Sequence, residues 1–123
     1  VNYTGCDSLF STAADSTTVY IGGHERWADN PFGCDRAGAG AVSAPGMAGL
    51  DPGSGRAFTS SSDPTVGKYS HGRGLGADDM LVTTAGLWIA SDNAFGSDIC
   101  GENPDGTAAR GHAGICFLPY PPG

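Results

Sequence analysis

Asp79-Met80-Leu81-Val82-Thr83-Thr84, a short turn at Ala85-Gly86, and Leu87-Trp88-Ile89-Ala90-Ser91-Asp92 together form the stretch whose reading decides the fold. Two runs of apolar, aromatic and β-branched residues flank a tight turn, and no apolar residue recurs at helical spacing, so the stretch reads as a β-hairpin. An echo lies upstream. Ser8-Leu9-Phe10-Ser11-Thr12-Ala13-Ala14, the polar turn Asp15-Ser16-Thr17, and Val19-Tyr20-Ile21-Gly22-Gly23 read as a second hairpin of the same kind. Further along, Met47-Ala48-Gly49-Leu50-Asp51-Pro52 is matched by Gly114-Ile115-Cys116-Phe117-Leu118-Pro119, at an offset of about 67 to 68 residues.

These echoes divide the chain into a first unit over residues 1–62, a linker over 63–76 and a second unit over 77–123, within one structural domain. The expected fold is all-β, built from two antiparallel units of three to four strands. Arg56-Ala57-Phe58-Thr59-Ser60 supplies a fourth strand to the first unit, whereas the second ends at Tyr120-Pro121-Pro122-Gly123 without one. Three long insertions, His24 to Pro45, Ser61 to Gly76 and Asn93 to Gly111, are rich in Gly, Asp, Asn and Pro. Loops of this length in a compact domain tend to carry function, so a binding site is expected on them.

Leu, Ile, Val and Phe supply 20 of the 123 residues, a thin stock for a core, while 21 Gly and 8 Pro favour turns over helices. Covalent support fits such a chain. Cys6, Cys34, Cys100 and Cys116 contain no CxxC pair, which argues against a zinc ribbon and for disulfides. Cys6–Cys34 with Cys100–Cys116 closes a local loop in each unit, each contributing about 3 kcal/mol in the chain-entropy model; spacing alone leaves a crossed pattern open. Disulfides point to an oxidising compartment, and no apolar run approaches a membrane span, so the expected localisation is secreted and extracellular. Val1-Asn2-Tyr3 has neither the basic region nor the apolar stretch of a signal peptide, and the chain is read as already processed. The net charge of −7 disfavours nucleic acid and anionic membranes as partners.

The run Asp7-Ser8-Leu9-Phe10, then Val19 to Trp27, Asn30-Pro31, Gly38 to Val42, Pro45-Gly46, Leu50-Asp51-Pro52 and Gly86 to Asp92 resembles the C-terminal two-blade region of secreted actinobacterial β-propeller repeat proteins. That resemblance implies that the two units are successive blades. It carries no catalytic signature to transfer. Two blades do not close a ring, since propellers use about four to eight, so the resemblance implies a fragment, an assembly of copies, or a small fold that reuses the motif.

His24-Glu25-Arg26-Trp27 is the stretch densest in chemistry, offering a base, a carboxylate, a cation and a stacking surface. On a continuing strand His24 and Arg26 share one face, and Glu25 and Trp27 the other. His71-Gly72-Arg73, with Lys68 and Tyr69, forms a second basic cluster. A small secreted hydrolase, of glycosidase or ribonuclease type, would draw on His24, Glu25, Arg26 and His71. Asp78 and Asp79 are adjacent on a strand, so alternation places them on opposite faces and argues against a carboxylate pair. Calcium is the cofactor the loop oxygens would suit, with Asp92, Asn93 and Asp98 the weak candidate set, and no loop follows the EF-hand pattern. No nucleophile elbow, P-loop or zincin motif is present.

The leading expectation is a non-catalytic extracellular binding or assembly module, with carbohydrate as a candidate ligand for Tyr20, His24, Arg26, Trp27, Asp29, Asn30, Trp88, Asp92 and Asn93. A structural subunit of an extracellular assembly is the third reading. Exposed strand edges predict a homo-oligomer or another protein chain as partner.

Overall fold

A computed structural model describes residues 2–59, 76–91 and 114–120. Regular structure among these residues is all strand and all antiparallel, with no helix. Strands β1 (Leu9–Ala14), β2 (Val19–Gly23) and β5 (Met47–Leu50) form a first sheet in the order β1-β2-β5. Strands β6 (Ala77–Thr83), β7 (Gly86–Ser91) and β8 (Ile115–Pro119) form a second in the order β6-β7-β8. Between β2 and β5 the first insertion adds a short ribbon, β3 (Trp27–Ala28) paired with β4 (Val42–Ser43).

Both expected hairpins are present, and their turns show why. In the first, Asp15 Oδ1 accepts the amides of Thr17 and Thr18 at 2.9 and 2.8 Å, an Asp turn that reverses the chain. In the second, Thr83 Oγ1 accepts from Gly86 N at 3.2 Å and donates to Gly86 O at 2.9 Å. The expected fourth strand shrinks to a single bridge, Leu50 with Ala57, backed by Phe58 N donating to Gly49 O at 2.9 Å. Ser60, the last residue of that expected strand, lies outside the described residues. No closed barrel or propeller is present among the described residues.

The two sheets share their register. Leu9 opposite Gly23, Ser11 opposite Gly22, Thr12 opposite Ile21 and Ala13 opposite Tyr20 become Ala77 opposite Ser91, Asp79 opposite Ala90, Met80 opposite Ile89 and Leu81 opposite Trp88. Val19–Leu50 and Ile21–Ala48 become Leu87–Leu118 and Ile89–Cys116. Each partner is displaced by 68 positions, the step from Leu9 to Ala77. The bulge recurs too, at Phe10 between Leu9 and Ser11 and at Asp78 between Ala77 and Asp79. That bulge overrides strict alternation, and Asp78 and Asp79 are both exposed instead of facing opposite ways.

One face of the first sheet, carrying Tyr20 and Met47, packs on the face of the second that carries Met80, Leu87, Ile89, Cys116 and Leu118. Burying each of these large side chains stabilises the fold by about 1.5–3 kcal/mol. The opposite face of the first sheet, Ile21, Ala48 and Leu50, is covered by Ala28, Ala44 and Ala57. The first sheet is therefore the middle of three layers. The sheets approach closely at Gly22, where an added Cβ would lie 2.4 Å from the Ala77 Cβ. At the same seam Ser11 Oγ donates to Ala77 O, and Gly46 O accepts from both Gly23 N and Ala77 N at 3.3 and 3.2 Å.

Cys6 and Cys34 are joined by a disulfide, as expected. Cys116 is not a free thiol, and Cys100 lies outside the described residues. No described helix is long and apolar enough to cross a membrane.

Candidate binding surface

Residues of β6, β7 and β8 that point away from the core carry large apolar side chains. Leu81 lies opposite Trp88, and Trp88 opposite Phe117, so the three cross the sheet in one row. In the neighbouring row Ala90 lies opposite both Asp79 and Ile115. Trp88 and Phe117 pack with ring centroids 4.9 Å apart at a tilt of 39°. Leu81 is 62% exposed, Trp88 43% and Ile115 50%. A shallow depression of about 90 Å³ opens among Leu81, Trp88, Ala90 and Ile115. The face is an apolar platform with one carboxylate, Asp79, at its edge.

The strand β2 ends at Gly23, and the segment that follows is dispersed by its surroundings. His24 stays exposed, its ring edge-on to Phe10 at 4.9 Å. Glu25 turns inward and is 1% exposed, and neither carboxylate oxygen has a hydrogen-bond partner among the described residues. Burial pushes its carboxyl up to about 8; its own amide opposes this and the nearby negative Asp7 adds to it. The Arg26 guanidinium forms a fork with Asp7, Nε to Oδ2 at 2.9 Å and Nη2 to Oδ1 at 2.7 Å, and also reaches Asp35 at 2.9 Å. These bonds hold Asp7 below the usual carboxylate range and Arg26 firmly protonated. Arg26 also lies 4.6 Å above the half-buried Trp27 ring. The base, acid and cation of this stretch thus point to three different surroundings.

Other expected site residues have structural partners. Tyr20 is fully buried, its hydroxyl donating to Asp15 Oδ2 at 2.7 Å. Asn30 is fully buried, its Nδ2 donating to Arg36 O at 3.1 Å and its Oδ1 accepting from Gly38 N at 2.7 Å. Asp29 adopts a left-handed φ of 53°, accepts from Asn2 Nδ2 and lies 3.7 Å from the Arg56 guanidinium. Of the residues singled out from the sequence, Trp88 stands on the apolar platform and His24 and Arg26 on the surface. His71, Asp92, Asn93 and Asp98 lie outside the described residues. Among the described residues no group of three or more His, Cys, Asp or Glu side chains is placed to hold a metal ion.

The residues missed from the sequence are Leu81, Ile115 and Phe117. Their signal was present in the apolar run Leu87-Trp88-Ile89-Ala90 and its partner Ile115-Cys116-Phe117-Leu118, since a strand with water on one face alternates. A second concavity, about 430 Å³, opens on the first insertion beside the Cys6–Cys34 disulfide, with Tyr3, Phe32 and Arg36 among its walls. No protein-family model, curated protein or solved structure matches the chain.

Proposed function

We propose that this chain is a secreted, non-catalytic binding or assembly module whose contact surface is the outer face of β6, β7 and β8. One observation carries the reading: Leu81, Trp88 and Ile115 stand exposed beside Phe117 in one contiguous patch, on strands whose other face is already core. Large apolar groups gathered on one face mark an interaction surface, whereas scattered ones do not. The disulfide supports an oxidising destination. The hydrolase reading draws less support from the geometry, because Glu25 is enclosed and Arg26 is engaged by two carboxylates.

The test compares the native chain with a Leu81→Ser, Trp88→Ser double variant, using an apolar fluorescent dye and thermal unfolding. The native chain binds the dye, and the variant, still cooperatively folded and melting only some degrees lower, loses that binding several-fold. Equal dye binding by both proteins overturns the reading.

The cleft beside Tyr3 and Phe32 favours a second reading, a small-ligand site in which the two exposed aromatic rings, 54% and 80% accessible, stack on a sugar. Titration with soluble oligosaccharides, followed by NMR shifts at Tyr3 and Phe32, tests it. Shifts that persist in a Phe32→Ala variant, or none at all, overturn it.

A further inference from the structure

The shared register fixes which faces of the two sheets correspond. In the first sheet Ser11, Ala13, Tyr20, Gly22, Met47 and Gly49 lie on one face, because they pair with one another across β1, β2 and β5. This is the face that the second sheet covers through Met80, Leu87, Ile89 and Leu118. The residues 68 positions further on are Asp79, Leu81, Trp88, Ala90, Ile115 and Phe117, which make up the exposed platform. Among the described residues the chain thus contains one filled example of a contact whose second example stands open.

From this correspondence we propose that the platform is the seat of a further three-stranded unit of the same pattern, stacked on it as the second sheet is stacked on the first. This rests on the reading of the platform as the contact surface, and it names the occupant: a sheet presenting aliphatic side chains at the positions of Leu87, Ile89 and Leu118. The strands themselves support it. Leu87-Trp88-Ile89-Ala90 and Ile115-Cys116-Phe117-Leu118 are apolar at consecutive positions, the composition of strands covered on both faces. In the first sheet the equivalent β5, covered on both faces, is buried at all four positions, whereas β8 alternates between buried and accessible. A second copy of this chain does not offer the matching face, because in its first sheet Ile21, Ala48 and Leu50 are already covered by Ala28, Ala44 and Ala57. Among the described residues one end of the stack is capped and the other open, so the occupant is a unit without that cap.

The test extends the full chain at its C-terminus by a second copy of residues 60–123, which serves as the probe. Trp27→Phe, with Trp88→Phe in the appended copy alone, leaves Trp88 of the original as the sole tryptophan. Acrylamide quenching of Trp88 is then measured on the monomeric fraction. Stacking lowers the quenching constant several-fold relative to the unextended chain, and Leu87→Asp with Ile89→Asp in the appended copy restores it. A Trp88 that stays as accessible as in the unextended chain overturns the proposal, as does an appended copy that remains unfolded on this face. If Trp88 stays accessible while the Leu81→Ser, Trp88→Ser variant still loses dye binding, the platform remains a contact surface and only the occupant is wrong. Failure of both experiments removes the contact surface as well.

Discussion

The Tyr120 hydroxyl donates a 2.6 Å hydrogen bond to Asp15 Oδ2, the same oxygen that accepts from Tyr20 at 2.7 Å. Asp15 belongs to the β1–β2 turn and Tyr120 follows β8, so one carboxylate ties the first sheet to the end of the second. Partial burial works against its ionisation. The Tyr120 and Tyr20 hydroxyls and the Thr17 and Thr18 amides outweigh that and hold the carboxyl at about 2.

Tyr120→Phe is expected to lower stability by about 1 kcal/mol at neutral pH, the value for a hydrogen bond to a charged group discounted for solvent screening. Because the folded-state pKa is depressed, the contribution is complete above about pH 4 and is lost as pH falls towards 2. Urea unfolding of both proteins at pH 7, 4 and 2 checks this. A penalty that is the same at pH 2 as at pH 7 rules the account out.

Glu25 works in the other direction. Its folded-state carboxyl is raised to about 8 from 4.5, so the folded chain keeps a proton that the unfolded chain has released. Stability therefore falls as pH rises from about 4.5 to 8, by on the order of 3–5 kcal/mol. Glu25→Gln is expected to flatten this slope, as measured by denaturant midpoints across that range.

Gly22→Ala is expected to destabilise the fold by about 1–3 kcal/mol, because the new methyl group lands 2.4 Å from the Ala77 Cβ and forces the sheets apart. Adding Ala77→Gly relieves the clash, so the double variant is expected to recover part of the loss. Additive penalties in the double-mutant cycle would show that the contact is not the cause.

Tyr20 and Trp88 occupy the same register position in their sheets, opposite Ala13 and Leu81 respectively. Tyr20→Ala is expected to cost about 3–5 kcal/mol, since it empties a fully buried site. Trp88→Ala is expected to cost about 1 kcal/mol, the packing on Phe117 being its main loss. Equal losses in thermal unfolding would contradict the assignment of inner and outer faces.

Reduction of Cys6–Cys34, or its replacement by paired serines, is expected to cost about 3–4 kcal/mol for a loop spanning 28 positions. Chemical denaturation of the native chain and of the paired-serine variant, both without reductant, measures it, because reductant would also open the disulfide of Cys116.

The hairpins were readable because each is written locally, in a run, a turn and a second run. So was the Cys6–Cys34 pairing, which closes a loop within one unit. Tyr20 was misplaced among the ligand-contacting residues because an aromatic on a strand gives the same signal whether it faces core or solvent. Its partner Tyr120 lies 105 residues away, beyond the reach of any local pattern. The bulge at Asp78 escaped for a related reason: an extra residue in one strand shows only against its partner strand. Glu25 reads from the sequence as a carboxylate available to a hydrolase because nothing in its neighbours announces that the chain turns it inward after Gly23. Leu81, Ile115 and Phe117 were read as strand formers, and only the covered inner face reveals that they stand on the side left open.

The seam at Ala77 also governs how the molecule comes apart. Gly46 O holds the amides of Gly23 and Ala77 together, Ser11 Oγ holds the Ala77 carbonyl, and Gly22 leaves no gap between them. Neither sheet opens there without exposing the partner's backbone groups and the Tyr20–Leu87–Ile89 core. The two halves are therefore expected to behave as one cooperative unit rather than as beads that melt in turn. Their amides at this seam are expected to exchange with solvent only when the whole domain unfolds.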